Sequence, residues 1–373
     1  MAGLDGNAID IDYSLNNRKI SSDKNVAGLN SSLASLVEKH SSKFSRILKH
    51  SLNVKGEDVL IVSDFGKEGN FLSSMLAYGY YHAARSQEFN ANIQFQGIKK
   101  GFMFADSNVT SAIKKLGKNS VIVLAVSNKL GKIDEERSFR TFCRARGHRF
   151  ISATGLGDIK TNHFDLFIEA MNANYRRMKK KGLAIKKKWD SAQEIRVKTS
   201  LGTDVTFDVS GMEAVANVGE YHDAGCGGNM PAGEVYIPPR GYYGVKGIVV
   251  IDGSIKTESG TLLVNQPVRL TIEEGRVTAM EGNYNYFLEK TFQRFEDRAV
   301  FPHRVRHVGE LGVGINPGAV LLGSMIMDEK VLGTGHIAIG SNYWFGGSIR
   351  TIYHGDQVFK KPLFYVDGKK MDI

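Results

Sequence analysis

Five side chains able to hold a metal ion fall in four short segments of the C-terminal half, each built to one plan. In GNMPAGEVYIPP, residues 228–239, Glu234 and Tyr236 share one strand face while Val235 and Ile237 take the other. HVGELGVGINPGA, residues 307–319, puts Glu310 on a face with Gly312 and Gly314, opposite Leu311 and Val313. GTGHIAIGSNYW, residues 333–344, aligns His336 with Ala338 and Gly340, opposite Ile337 and Ile339. IYHGDQVF, residues 352–359, sets His354 and Asp356 on the same side of Gly355. All four readings follow from the two-residue period of an extended strand.

A carboxylate or imidazole that only faces water needs no small neighbours, whereas a metal and a substrate need room. Two Glu, two His and one Asp make an oxygen-rich, nitrogen-containing set suited to zinc, cobalt, manganese or iron. The carboxylates beyond a three-ligand site are enough for two metals, with one carboxylate bridging. Each residue also has a plainer reading on its own. Taken singly, His336 reads more readily as a hydrogen-bonded core histidine, while Asp356 also reads as a turn residue after glycine and the two glutamates as paired structural carboxylates. Spacing alone does not bring the four segments together in space.

The elements that must position them divide the chain in two. At 373 residues it is long enough for two domains with ordinary cores, and 42% hydrophobic with 24% charged residues is a globular composition. Residues 1–30 are polar and rich in Gly, Asn and Ser, and read as a loosely held arm. From Leu33 to Leu52 apolar residues recur at helical spacing. The runs DVLIVSD, FNANIQFQ, NSVIVLAVS and HRFISAT then read as strands, separated by helical patterns near Asn70–Ser86, Val109–Leu116 and Asp134–Arg146. Buried strands alternating with helices predict an α/β domain with a mostly parallel, doubly wound sheet over residues 31–190. After a long amphipathic pattern from Thr161 to Lys181, alternating segments around Leu201-Gly202-Thr203, Glu274-Gly275 and Asp367-Gly368 predict a β-rich α+β domain over residues 191–373, where the metal-competent side chains lie.

Charge and targeting signals narrow the classes. Of the net charge of +10, +8 sits between Arg176 and Lys198, mostly in RRMKKKGLAIKKKW with its single aromatic residue, which reads as a solvated helix end and linker rather than a nucleic-acid site. SDFGKEGN has neither dinucleotide nor P-loop spacing, so no nucleotide cofactor is expected. No apolar run is long enough to span a membrane, the N-terminus lacks a signal-peptide pattern, and two cysteines make neither a disulfide framework nor a thiolate zinc site. A cytoplasmic protein is expected.

Taken together, GNMPAGEVYIPP, GELGVGINPGA, MDEKVLGTGHIAIG followed by SNYW, and IYHGDQVF closely resemble the thermophilic-type metallo-aminopeptidases, the group of aminopeptidases T and S. The match is in order over residues 220–373 and vague before them. The resemblance implies a homodimer acting on small peptides, and a two-metal site of zinc, cobalt or manganese held by Glu234, Glu310, His336, His354 and Asp356, with Tyr343 as the active-site tyrosine. The same fold family includes iron(II) dioxygenases that open 2,5-dihydroxypyridine and keep the closing His-x-Asp. That alternative would use Fe(II) with His336, His354 and Asp356, and His303 and His307 before Glu310 are two further imidazoles open to an iron site. Both glutamates are present, which favours the peptidase, while the short stretch between His336 and His354 departs from it.

Overall fold

The computed structural model describes residues 27–135 and 137–373. Most of the expected polar arm therefore lies outside the described residues, but its last part does not: Ala27 and Leu29 are buried in the core.

The N-terminal part packs helices on both faces of a parallel sheet. α1 (Ser31–Glu38) and α2 (Ser41–Arg46) precede β1 (Val59–Ser63), followed by α3 (Leu72–Ser86), β2 (Ala91–Phe95), α4 (Ser107–Lys115), β3 (Val121–Ala125), α5 (Phe139–Arg146) and β4 (Arg149–Ala153). β1, β3 and β4 are buried at every position; β1 and β3 accordingly read as near-continuous apolar runs rather than alternations, while β4 buries Arg149 and Ser152 among its apolar residues. Val59 and Ile61 face the α3 side, while Leu60 and Val62 join Val109, Ile113 and Phe142 from α4 and α5. α5 is shorter than its pattern suggested because Ser138 caps its start, accepting from the Thr141 N–H.

The Thr161–Lys181 pattern is not one helix. It is a short turn followed by α6 (Phe164–Met171) and α7 (Tyr175–Asp190), and the Asn174 side chain between them caps α7 by accepting from the Arg177 N–H. α7 buries Tyr175, Met178, Gly182, Ile185 and Trp189 at helical spacing, and its lysines line the outer side. At Gly182 an added Cβ would lie 2.5 Å from Val218, so the glycine lets the helix press onto the second half of the chain.

That half is β-rich. Its strands are β5 (Glu194–Lys198), β6 (Asp204–Asp208), β7 (Val215–Asn217), β8 (Gly227–Asn229), β9 (Glu234–Ile237), β10 (Val245–Ile251), β11 (Ser254–Thr257), β12 (Gly260–Leu263), β13 (Val268–Glu273) and β14 (Arg276–Glu281). After α8 (Asn285–Glu296) come β15 (Val308–Gly314), α9 (Met325–Asp328), β16 (Thr334–Gly340), β17 (His354–Lys360), β18 (Leu363–Val366) and β19 (Lys369–Met371). One seven-stranded sheet runs β14-β13-β10-β6-β5-β18-β19 and the other β12-β11-β17-β16-β15-β9-β7. Every pairing in both is antiparallel. Leu311, Val313, Ile337 and Ile339 of the second sheet share one core with Val205, Phe207, Val249 and Leu270 of the first. β8 does something different. It leaves this half and pairs parallel to β4, as the fifth strand of the N-terminal sheet in the order β2-β1-β3-β4-β8.

Among the described residues no helix is long and apolar enough to cross a membrane, and Cys143 is buried and Cys226 exposed, both as free thiols.

Candidate metal centre

The register of the second sheet puts all five predicted side chains on one face. Glu234 lies opposite Gly314 and Tyr236 opposite Gly312; Gly312 lies opposite His336, Glu310 opposite Ala338, Ala338 opposite Asp356, and Gly340 opposite His354. The small residues between them form a pavement over which the long side chains lean. A Cβ at Gly312 would sit 1.9 Å from His336 Nε2, and one at Gly314 would sit 2.2 Å from the Val331 carbonyl oxygen. The opposite face of the same strands is the apolar row that anchors the sheet to the core.

The side chains then meet. His336 Nε2 lies 3.2 Å from Glu310 Oε1 and 3.9 Å from Glu234 Oε2. On the other side, His354 Nε2 lies 3.8 Å from Glu310 Oε2 and 3.6 Å from Asp356 Oδ1. Glu310 thus stands between the two imidazoles and offers one oxygen to each. Donor atoms of Glu310, His354 and Asp356 all fall within 4.8 Å of one another, the spacing of a metal-ligand group. Glu234, Glu310, His336 and Asp356 are buried, and the His354 side chain is 24% exposed, which gives the cluster one open side.

Surrounding groups fix the orientation of these five. The Ser341 carbonyl accepts from His354 Nδ1 at 2.8 Å, so Nε2 is the free nitrogen. Asn217 donates to Glu234 Oε1 at 3.2 Å, Lys330 Nζ lies 2.7 Å from the same oxygen, and Tyr221 donates to Asn217. Glu234 Oε2 is left facing His336. Lys330 is fully buried and also pairs with Glu329.

The electrostatics of the cluster suit a cation. Within the cluster, four buried carboxylates (Glu234, Glu310, Glu329 and Asp356) lie with one buried ammonium, that of Lys330, which pairs with Glu234 and Glu329. Burial pushes the Glu310 carboxyl up, with the Asp356 charge adding to it and His336 only partly offsetting it. Burial likewise pushes Glu329 well up despite Lys330. Desolvation disfavours imidazolium at His354, yet Asp356 and Glu310 outweigh it and raise its pKa to about 9. His336 moves the same way, drawn by Glu310, and burial of Asp356 is overcome by His354, which holds that carboxyl below its usual range. A site that draws protons onto its imidazoles to balance its carboxylates is one that a dication suits. The Nδ1 of His336 makes no hydrogen bond among the described residues. By number, chemistry and burial, the donor set fits divalent metal.

The other sequence candidates are not among the side chains that meet in this cluster. Tyr343 sits on a short 3₁₀ turn, Tyr343–Phe345, with its side chain largely exposed and Arg350 5.3 Å over its ring. Next to it, Trp344 meets the His354 ring edge-on at 4.7 Å. His303 is exposed, whereas His307 is buried, its Nδ1 3.1 Å from the Tyr242 carbonyl oxygen and its ring edge against Tyr242. The sequence reading assigned no role to Lys330, Glu329, Asn217 or Ser341. The one available signal was Glu329-Lys330, a charged pair set between an apolar stretch and a glycine-rich strand.

A model of the family described as NicX, 2,5-dihydroxypyridine 5,6-dioxygenase, matches residues 161–371, more than half of the chain and all of the cluster. The chain belongs to the NicX family. Its fold is similar to that of 2,5-dihydroxypyridine dioxygenase from Pseudomonas putida KT2440, with a TM-score of 0.68 at 17% identity over 90% of this chain and 95% of that one. It is also similar to wild-type AmpT, an aminopeptidase T, from Thermus thermophilus, with a TM-score of 0.59 at 14% identity over 90% of this chain and 97% of that one. No curated protein sequence matches. The NicX assignment and the shared fold make the chain a metal-dependent enzyme of a fold family that includes both a dioxygenase and an aminopeptidase.

Proposed function

We propose that this NicX-family chain is a metallo-aminopeptidase that removes N-terminal residues from small peptides, holding two divalent ions with Glu234, Glu310, His336, His354 and Asp356. The observation that carries the reading is the position of Glu310, whose two oxygens face different imidazoles, as a carboxylate shared between two ions requires. The compact group supports it too: Glu310, His354 and Asp356 are two carboxylates and one imidazole, whereas a mononuclear oxygenase iron takes two imidazoles and one carboxylate.

Bound there, two divalent ions would supply Lewis acidity toward a peptide carbonyl and water acidic enough to lose a proton near neutral pH. The chain's own residues do the rest. Asn217 and Lys330 hold one oxygen of Glu234 so that the other faces the cluster, and Ser341 holds the His354 ring. Tyr343, on the exposed turn beside Trp344, is the proposed donor to the substrate oxygen. Under the same reading the enzyme works in the cytoplasm as a homodimer, with zinc, cobalt or manganese, and with neither nucleic acid nor a membrane as partner.

The family match favours a second reading, an Fe(II) ring-cleaving dioxygenase using His336, His354 and Asp356. One experiment separates the two: metal content of protein purified without added metal, followed by aminoacyl-anilide hydrolysis and by oxygen uptake with 2,5-dihydroxypyridine. Two zinc, cobalt or manganese ions per chain with hydrolysis support the peptidase. One iron with oxygen uptake and no hydrolysis overturns it in favour of the dioxygenase.

A further inference from the structure

Tyr236 stands two residues after Glu234 on the same face of β9, in register with Gly312 and, across it, with His336. It is the nearest long side chain on that face of β9 to the cluster and is only partly exposed. Its ring is held edge-on by Phe345 at 5.1 Å and 87°; Phe345 contacts Trp344, and Trp344 contacts His354. The aromatic series therefore runs along one side of the site from β9 to β17. Among the described residues the Tyr236 hydroxyl has no hydrogen-bond partner, although Glu234 and Glu310 both act on it electrostatically. A phenol needed only for packing would find its partner in protein or do without the oxygen. Here the ring is fixed by Phe345 and the hydroxyl makes no hydrogen bond to the described residues, on the strand face that also carries Glu234.

We propose that the Tyr236 hydroxyl is a catalytic hydrogen-bond donor to the oxygen that gains negative charge when the scissile carbonyl becomes tetrahedral. The assignment rests on the peptidase reading and adds a second donor to the one proposed for Tyr343. Water oxygen forms a bond to the carbonyl carbon, the C=O π pair moves onto the carbonyl oxygen, and Tyr236 donates to that oxygen without giving up its proton. As the C–O π bond reforms, the C–N bond breaks and the amine leaves with a proton that came from the water. An ordinary tyrosine is protonated at neutral pH, so the donor is present throughout.

The test is Tyr236→Phe, which keeps the ring and removes the oxygen. Metal per chain, melting temperature and the affinity for the product amino acid should equal those of the wild type. The kcat should fall about 10²–10³-fold with KM little changed, and the affinity for a phosphinic dipeptide, a tetrahedral anion, should weaken by a similar factor. A Tyr236→Phe variant that binds the phosphinic dipeptide as tightly as the wild type overturns the Tyr236 assignment alone. A wild type that neither binds that inhibitor nor hydrolyses peptides overturns the peptidase reading, and this assignment with it.

Discussion

His354 donates a hydrogen bond from Nδ1 to the carbonyl oxygen of Ser341 at 2.8 Å, and this one bond sets which nitrogen faces Asp356 and Glu310. A backbone carbonyl can only accept, so the neutral ring carries its proton on Nδ1 and keeps the Nε2 lone pair for the cluster. The acceptor comes from the turn after β16, so the strand that carries His336 also fixes the ring of His354.

Replacing His354 or Asp356 by alanine should empty the site without unfolding the chain. Neither side chain belongs to the apolar core, and outer-shell partners alone are worth about 10–100-fold in metal affinity, so loss of a ligand should cost more. Metal per chain and circular dichroism on each variant check this. Normal metal content with near-wild-type turnover would show that these two residues are not ligands.

Glu310→Gln should separate the two enzyme classes. Glutamine keeps the shape but loses the charge, and a neutral amide is a poor link between two dications. Metal content should fall from two toward one and aminoacyl-substrate hydrolysis by about 10²-fold or more, the scale of losing one transition-state contact. Two metals and full hydrolysis in the variant would refute the shared-carboxylate role.

Gly312→Ala tests the pavement. The new methyl would lie 1.9 Å from His336 Nε2, so the imidazole must move. Overpacking of this kind costs about 1–3 kcal/mol, and the displaced ring should weaken metal binding far more than that change in unfolding free energy suggests. A metal titration showing wild-type affinity would mean that His336 takes no part.

Lys330→Met, measured on metal-free protein, should destabilise the chain by about 3–5 kcal/mol, because Glu234 and Glu329 lose the buried ammonium that pairs with both. Adding Glu329→Gln should restore part of the loss. Urea denaturation reads both; equal stabilities of wild type and single variant would mean that the pair is not compensating buried charge.

Arg149 on β4 reaches Glu57, just before β1, and this pair carries a pH signature. Burial would push the Glu57 carboxyl up, but the N–H groups of Lys55, Glu57 and Gly56 and the Arg149 charge outweigh it and hold its pKa at about 2, against an ordinary 4.5. A lowered folded pKa gives stability that is present above pH 4.5 and lost as pH falls toward 2. Wild type should therefore exceed Glu57→Gln in unfolding free energy near neutral pH, and the gap should close through that window. A gap unchanged between neutral pH and about pH 3 would contradict the assignment.

The five side chains that meet on one face were legible as a set in the sequence because strands β9, β15, β16 and β17 each alternate a face of polar and small residues with an apolar one, and glycine marked where the backbone had to clear space. The parallel sheet was legible from its unbroken apolar runs. Three things were not. β8 is only Gly-Gly-Asn, with no apolar rhythm, and its paired residues in β4 are 77 positions earlier in the chain, so nothing local announces the pairing. The break between α6 and α7 rests on Asn174 acting as a cap within a pattern that otherwise continues. Lys330 was passed over because a fully buried lysine makes sense only once Glu234 and Glu329 are seen around it.

The glycine and alanine pavement bears on how such a site changes over evolutionary time. The strands hold their spacing through the apolar row on the far face, so an exchange of glutamate for histidine on the near face leaves the backbone where it was. Ligand type and ion number become adjustable one codon at a time, with the scaffold conserved. Different metal chemistries could thus share one backbone, and this fold is similar to those of both a dioxygenase and an aminopeptidase.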